Sequence, residues 1–271
     1  MSVKESLSKV YHRFWTPGRY ASFRRILYSY YVRNYIECKR NRATLQKSRD
    51  SPDRKLEGNP LVSVIIPTYN RGKILTDRAI PSVLSQTYRN FEVIIVGDHC
   101  TDNTEELMAD FSDHRIRFIN LPERGKYPHS PLDRWMVAGS IPRNRGLEVA
   151  TGAWIAPLDD DDEFSNDHLE LLLHHALENQ YEMVYGILQW EVERGKWVPC
   201  GSYPLRHMHI CHSAVLYSSV LKFLKYDVNA WKYSQPDDWN LWRRMKEAGA
   251  KIGFLDRVVG KHYQEYSQLN V

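Results

Sequence analysis

Short apolar runs alternate with amphipathic stretches and limit this chain to one class of fold. Val62–Pro67, Phe91–Val96 and Ile116–Ile119 are rich in β-branched residues and have the length of buried strands. The stretches between them, 73–87 and 104–111, have the apolar spacing of helices. Strands that alternate with helices form a mostly parallel sheet with helices on its faces. The sequence therefore predicts an α/β fold.

An acidic run follows the next apolar stretch. Ala153–Ala156 has the composition of a short strand, and Asp159–Asp162 comes soon after it. Adjacent carboxylates repel one another, and a divalent cation among them would relieve that repulsion, because hard cations prefer oxygen ligands. The same acids could instead cap the helix that follows, since Asp favours helix starts. The run alone leaves both interpretations open.

Polar residues follow three of the predicted strands. Tyr69 comes after the first strand, Asp98 after the second, and Asp159–Asp162 after the strand at 153–156. The carboxyl ends of parallel strands lie at one edge of a sheet, which is where ligands bind in such folds. The sequence therefore predicts that these three loops form one ligand site.

Five segments, in this order, resemble the motifs of family 2 glycosyltransferases, which have the GT-A (Rossmann-like) fold. They are Val62–Arg71, Ser82–Tyr88, Val96–Thr104, Arg143–Leu147 and Leu158–Asp162. The likeness covers roughly residues 61–265, and five motifs in order are far more specific than one. The family transfers a sugar from a nucleotide diphosphate to an acceptor hydroxyl, usually with inversion. The resemblance therefore implies an inverting hexosyl- or similar glycosyltransferase with a UDP-linked donor.

The resemblance also implies a set of donor-binding residues. Tyr69 would offer a stacking face to the nucleotide base, Asp98 would accept a hydrogen bond from it, and Arg143 would lie near the base or the phosphates. Each of these residues also has a plain structural interpretation, as loop packing or as a turn or cap. The full donor-binding set comprises Pro67, Tyr69, Asn70, Asp98, Arg143, Asp159 and Asp160.

Asp159 and Asp161 match the family's DxD pair. By this resemblance Asp159 would reach the ribose or a metal-bound water, and Asp161 would bind a Mn²⁺ or Mg²⁺ ion that stabilises the departing diphosphate. His262 is a second metal ligand in this interpretation, and an imidazole would favour Mn²⁺; a surface histidine is the alternative. Asp162 is expected to cap the next helix.

Asp237-Asp238-Trp239 resembles the family's Glu-Asp-Trp motif at the start of a helix. One-step inversion needs a base that takes the proton of the acceptor hydroxyl as its oxygen attacks. Asp238 matches the motif's Asp and is the predicted catalytic base. Asp237 stands where the family has Glu, so the choice between the two acids stays open, and either could cap the helix.

Two further polar segments have no single assignment. The long loop at 121–142 carries Arg124 and Trp135 and could close over the donor, meet the acceptor or pack on the surface. His207, His209 and His212 precede a predicted strand and could form a second metal site or make hydrogen bonds on the acceptor side.

The charge of the chain is unevenly distributed. Residues 1–58 hold 14 Lys/Arg against 5 Asp/Glu, and we interpret them as a basic, amphipathic helical extension and linker before a GT-A domain at 59–271. Residues 1–50 could make peripheral contact with a membrane, or could pack on the main domain with a solvated basic face. No apolar run is long enough to span a bilayer. The four cysteines lack metal-type spacing, which favours a cytoplasmic location, membrane-associated or not.

Two other functions fit parts of this pattern. A nucleotidyltransferase can use a similar sheet with an acidic metal site, but it needs a basic phosphate-binding loop, and Asn70-Arg71-Gly72 is only a faint version of one. A nucleotide-sugar-binding protein without turnover would share the donor site. The expected partners are a nucleotide-sugar donor and a glycan, lipid or protein acceptor, and no nucleic acid is expected.

Overall fold

The structure is a computed structural model that describes residues 34–50 and 58–264. One nine-stranded sheet forms its centre. Its strands, in chain order, are β1 (Val62–Thr68), β2 (Phe91–Gly97), β3 (Ile116–Asn120), β4 (Trp154–Pro157), β5 (Asp162–Phe164), β6 (Met183–Glu193), β7 (Lys196–Cys200), β8 (Val215–Ser218) and β9 (Ile252–His262).

Helices cover the two faces of the sheet. The first described helix is α1 (34–49), and α2 follows β1 as three consecutive pieces, Gly72–Ile74, a π-helical turn at Leu75–Ala79, and Ile80–Leu84. Pro81 lies in the first turn of the last piece, directly after the π-helical turn. The other helices are α3 (Thr104–Ala109), α4 (Pro131–Trp135), α5 (Ser140–Val149), α6 (His168–Glu178) and α7 (Asp237–Glu247).

The sheet has a parallel half and a mixed half. Its strand order is β3-β2-β1-β4-β8-β6-β9-β5, with β7 paired to β6. Strands β1 to β4 pair in parallel, so the carboxyl ends of β1, β2 and β4 meet at one edge. Beyond β4 the pairs β4–β8, β6–β8, β6–β7 and β5–β9 are antiparallel, and only β6–β9 is parallel. The predicted α/β fold is confirmed.

The central strands are buried on both faces. In β1, Val64 and Ile66 pack into the core on one side of the sheet, and Ile65 packs into the core on the other. All seven residues of β1 are buried, which explains why Val64, Ile65 and Ile66 follow one another rather than alternating with polar residues. The polar atoms of the site are therefore confined to the strand ends.

Helix α1 packs against the sheet domain. Leu45 is fully buried in the core, and the guanidinium of Arg49 donates two hydrogen bonds to the carboxylate of Glu182, at 2.6 and 2.7 Å. Arg42 donates to the carbonyl of Glu247 at the end of α7. For this part of the extension, packing on the main domain is observed. The prediction of membrane contact falls partly on residues 1–33, which lie outside the described residues, and it stays a prediction.

Strand β9 continues to His262 because it pairs with β5, with Asp162 opposite His262. One expectation from the sequence needs correction. The loop at 121–142 was expected to lack regular structure, but it contains the short helix α4 and the first residues of α5. Among the described helices, none is long and apolar enough to cross a membrane.

His168, in the first turn of α6, is fully buried, and its described hydrogen bond is to a backbone carbonyl rather than to a carboxylate. Its Nδ1 donates to the carbonyl of Val259 at 2.7 Å, and its ring stacks on Phe164 with the centroids 3.6 Å apart. It is 0% exposed, and this burial lowers the pKa of its imidazole to about 4.

The free energy of unfolding is expected to fall as the pH is lowered from about 6.5 to 4. In that range the unfolded imidazole binds a proton that the folded one does not, which removes at most about 3 kcal/mol of stability. Urea unfolding at pH 7 and pH 5 measures the loss. His168→Gln is expected to reduce this pH dependence, whereas His174→Gln, at a side chain that is 71% exposed, is expected to leave it as it is. An equal loss in wild type and His168→Gln would contradict the assignment.

Candidate functional site

The ends of β1 and β2 form the first part of the site. Tyr69 follows β1, and the guanidinium of Arg124 lies over its ring, 3.6 Å from the centroid. Asp98 follows β2, is 3% exposed, and accepts a hydrogen bond from the N–H of Gly125 at 2.9 Å. The loop after β3 therefore contacts both predicted base-binding residues, and it joins them at one edge of the sheet.

Two other predicted donor residues shape the same edge. Pro67 is buried in β1 opposite Val96 of β2. Asn70 has a φ of 52°, a left-handed conformation that Asn tolerates better than most residues, and its side-chain oxygen accepts a hydrogen bond from the N–H of Thr101 at 2.8 Å. Asn70 thus links the loops after β1 and β2. The roles of Pro67 and Asn70 in donor binding stay predictions.

Arg143, on α5, joins two distant parts of the chain. Its Nη2 donates to Asp159 Oδ1 at 2.7 Å, and its Nη1 donates to Asp237 Oδ2 at 2.9 Å. The side chain is only 11% exposed, so the paired charges interact with little screening by water. Burial alone would raise the pKa of Asp159, but the neighbouring His212 and Arg143 hold it well below its usual value. The acid loop after β4 and the start of α7 are therefore held together by one cation.

The next two acids of the loop face back toward β1. Asp160 is 6% exposed, accepts a hydrogen bond from Thr68 Oγ1 at 2.7 Å, and contacts Arg71 Nη1 at 3.1 Å. Burial raises the pKa of Asp160 to about 7. Asp161 pairs with Nη2 of the same Arg71 at 3.0 Å, and its backbone carbonyl accepts from Arg78. Arg71 thus compensates part of the negative charge of the loop.

Asp162 does not cap a helix, and that prediction is wrong. It lies in β5, is 1% exposed, and accepts hydrogen bonds from Ser213 Oγ at 2.6 Å and from His262 Nδ1 at 2.8 Å. Helix α6 begins later, after Asp167. Although burial opposes the change, Asp162 raises the pKa of His262 to about 9. In the metal-free protein this favours the protonated imidazole, whereas a metal ligand must be neutral; ligation by His262 stays a prediction.

The first two residues of α7 differ in their surroundings. Asp237 is 5% exposed, and its Oδ2 accepts from Ser140 Oγ at 2.6 Å as well as from Arg143. Asp238 instead accepts from the backbone N–H of Trp239, and burial together with the adjacent Asp237 raises the pKa of its carboxyl. A raised pKa makes a carboxylate a better proton acceptor. The surroundings favour Asp238 over Asp237 as a base.

The carboxylate oxygens of the acid loop are of the type that a divalent cation shared with a diphosphate would use. Within residues 34–50 and 58–264, no three His, Cys, Asp or Glu side chains come close enough together to hold a metal by themselves. Mg²⁺ sites commonly use one or two carboxylates and complete the shell with phosphate oxygens and water. Asp159 and Asp161 offer two such carboxylates. Arg143 Nε is buried without a hydrogen-bond acceptor, as expected beside a site for an anionic ligand.

Several residues of the site could not be assigned from the sequence. Arg71 lies inside a recognised motif, but nothing in the motif shows that it pairs with Asp160 and Asp161. His212 lies 3.1 Å from Asp159 through Nδ1, although 53 positions separate the two residues. The histidine cluster at 207–212 was the only signal for His212. Among the described residues, His212 is the one histidine of that cluster with a contact to the acid loop.

Comparison with known proteins identifies the family. The family model described as glycosyl transferase family 2 matches residues 63–128 and 137–208, about half of the chain. This chain therefore belongs to glycosyl transferase family 2, which confirms the resemblance drawn from its motifs.

Curated relatives support the same assignment. An uncharacterized glycosyltransferase of Rickettsia felis is 37% identical over 138 residues, which are 51% of this chain and 21% of the relative. The UDP-Glc:alpha-D-GlcNAc-diphosphoundecaprenol beta-1,3-glucosyltransferase WfgD of Escherichia coli is 33% identical over 126 residues, 46% of this chain and 45% of WfgD. The matched part spans less than half the length of these relatives.

Solved structures share the fold. S. aureus TarS 1–349 in complex with UDP-GlcNAc superposes with a TM-score of 0.60 at 18% identity, covering 75% of this chain and 58% of that one. The mannosyltransferase PcManGT from Pyrobaculum calidifontis, in complex with GDP-Man and Mn²⁺, gives a TM-score of 0.54 at 15% identity and covers 88% of this chain and 67% of that one. At these identities the likeness shows the GT-A fold.

Proposed function

We propose that this protein transfers a sugar from a UDP-linked donor to an acceptor hydroxyl with inversion, in a reaction that requires Mn²⁺ or Mg²⁺. The observation that carries the proposal is the Arg143 bridge. It holds a donor-side acid, Asp159, and the start of α7, which carries Asp238, around one guanidinium. Membership in glycosyl transferase family 2 favours sugar transfer over nucleotidyl transfer.

The nucleotide would bind at the ends of β1 and β2. Tyr69 supplies a flat aromatic ring, and Arg124 covers one side of it. Asp98 supplies a hydrogen-bond acceptor for an N–H of the base. A UDP donor is supported by the TarS complexes with UDP and UDP-GlcNAc and by the UDP-Glc in the name of WfgD. GDP is the second choice, since PcManGT was solved with GDP-Man.

Asp161 would hold the metal ion, with Asp159 beside it. When bound, the ion would stabilise negative charge on the departing diphosphate. The chain supplies further positive charge through Arg71 and Arg143, both of which lie against the acid loop. We propose residues 59–271 as the transferase domain, with α1 of the extension anchored to it through Arg49.

Asp238 would act on the acceptor. Its carboxylate takes the proton of the acceptor hydroxyl while that oxygen forms a bond to the anomeric carbon. The bond from the anomeric carbon to the diphosphate oxygen breaks at the same time, and the nucleoside diphosphate leaves with that electron pair. Attack opposite the leaving group inverts the anomeric configuration. The raised pKa of Asp238 suits this role.

A thermal-shift screen tests the donor part of the proposal. UDP with Mn²⁺ is expected to raise the unfolding temperature, because a ligand that binds the native state preferentially stabilises it. GDP, dTDP and CDP with the same metal are the matched ligands, and each is repeated with EDTA. The proposal fails if no nucleoside diphosphate changes the unfolding temperature in the presence of Mn²⁺ or Mg²⁺. A larger shift with GDP than with UDP would replace the UDP assignment.

A further inference from the structure

His212 and Ser213 contact the acid loop at three points. They are the first two residues of a three-residue 3-10 turn, His212–Ala214, just before β8. We propose that His212 is a positioning residue, which fixes the carboxylate of Asp159 for donor binding through an N–H at Nδ1. The role of Asp159 in donor binding rests on the proposed function. The contact itself rests on the 3.1 Å distance between His212 Nδ1 and Asp159 Oδ1.

His212 is enclosed on every side that the structure describes. Its side chain is 6% exposed, and its ring stacks on Trp242 with the centroids 6.2 Å apart. Nδ1 lies 3.1 Å from Asp159 Oδ1, and Nε2 lies 2.9 Å from the hydroxyl of Tyr226. Both ring nitrogens therefore face a specific polar atom, and the ring has little room to turn away from either.

The two neighbours select one tautomer. The Tyr226 hydroxyl lies 2.9 Å from Nε2 and can donate to it; we infer that it does, so that Nε2 accepts and the ring proton is on Nδ1. In that state the N–H at Nδ1 lies beside the Asp159 carboxylate, with Nδ1 3.1 Å from Oδ1. The opposite tautomer would place a lone pair against negative charge. This arrangement resembles the way a second partner fixes the tautomer of functional histidines in general.

The second residue of the turn fixes the backbone of the loop. Ser213 Oγ accepts from the N–H of Asp159 at 3.1 Å and donates to Asp162 Oδ2 at 2.6 Å. Arg143 binds the same Oδ1 of Asp159 that His212 faces. Arg143 and His212 thus both lie next to Oδ1 of Asp159, and Ser213 binds the backbone N–H of the same residue. Supporting contacts of this kind hold the side chains of a binding site in the geometry that binding requires.

The pair His212→Asn and His212→Gln separates the two contacts. The amide nitrogen of Asn can take the place of Nδ1, and that of Gln can take the place of Nε2. We expect His212→Asn to keep the affinity for UDP with Mn²⁺ within about threefold of wild type. We expect His212→Gln to weaken it by roughly 10- to 100-fold, the effect typical of losing a partner that orients a site carboxylate. Isothermal titration calorimetry measures both, with His174→Gln as the exposed control.

The opposite ranking overturns the inference. If His212 only stabilises the fold through Tyr226, then Gln is the tolerated variant, Asn is the damaging one, and the unfolding temperatures fall in parallel with the affinities. Equal UDP affinity in wild type and His212→Gln likewise overturns it. Tyr226→Phe, which removes the hydroxyl from Nε2, provides a second variant if either His212 variant fails to fold.

A measurement on the ligand-free protein keeps the inference separate from the proposed function. ¹⁵N spectra of the imidazole rings, assigned by comparison with His212→Asn or Tyr226→Phe, should show a proton on Nδ1 of His212. A neutral ring protonated on Nε2 alone would overturn the inference whatever the ligand. If wild type binds no nucleotide but Nδ1 carries the proton, the donor assignment fails and the contact with Asp159 stands.

Discussion

Asp238→Asn is expected to lower kcat by about 10²- to 10⁴-fold, the usual contribution of a positioned general base. The amide cannot take the proton of the acceptor hydroxyl, and its similar size keeps the start of α7 in place. The affinity for UDP with Mn²⁺ should stay within about threefold, because Arg143 pairs with Asp237 and not with Asp238. Turnover assays and calorimetry on the same preparation measure the two quantities.

Asp237→Asn is the informative comparison for the base. Asp237 is held by Ser140 and Arg143, so its loss is expected to lower the unfolding temperature and to disturb Asp159 through Arg143. For wild type, kcat should rise with pH through the raised pKa of Asp238, since the base must be deprotonated. An Asp238→Asn enzyme that keeps wild-type turnover would rule this residue out as the base.

Asp161→Asn is expected to remove most of the response to Mn²⁺ and to lower kcat by about 10²- to 10³-fold, since Lewis-acid stabilisation of a leaving group contributes several kcal/mol. The reason is that this carboxylate is the proposed metal ligand of the acid loop. The rise in unfolding temperature with UDP and Mn²⁺ should disappear in the variant, and Mn²⁺ bound to the protein can be followed by electron paramagnetic resonance.

Asp110→Asn serves as the matched control, because Asp110 is an exposed acid at the end of α3. It should bind Mn²⁺ and UDP as wild type does. Asp161→Asn also removes one partner of Arg71, so its unfolding temperature without ligand must be measured first. Full activity of the wild-type enzyme in EDTA would contradict the metal assignment.

The part of the site that lies at strand ends was predictable from the sequence. Tyr69, Asp98 and the acids at 159–162 follow strands whose burial on both faces forces a continuous apolar run, and parallel pairing brings their ends to one edge. The spacing of the apolar residues and the order of the strands were therefore enough to predict this part of the site. The family motifs added the roles of these residues, which pattern alone did not supply.

The contacts between distant segments were not predictable. The local signal at Asp162 is that of a helix cap, but its partners are Ser213 and His262, at least 51 positions away. The choice between Asp237 and Asp238 depends in the same way on Ser140 and Arg143. A side chain's local preference is a weak guide where tertiary partners compensate a buried charge.

If the donor and the acceptor bind as proposed, the Arg143 bridge couples the two halves of the site. A diphosphate bound beside Asp159 would add negative charge next to the guanidinium that also holds Asp237. The strength of the ion pair with Asp237 would then depend on whether the donor is bound. Because coupling between two binding events is reciprocal, an acceptor bound next to α7 would change the affinity for the donor by the same factor as the donor changes the affinity for the acceptor. The affinity measured for the donor alone would then differ from its affinity in the ternary complex.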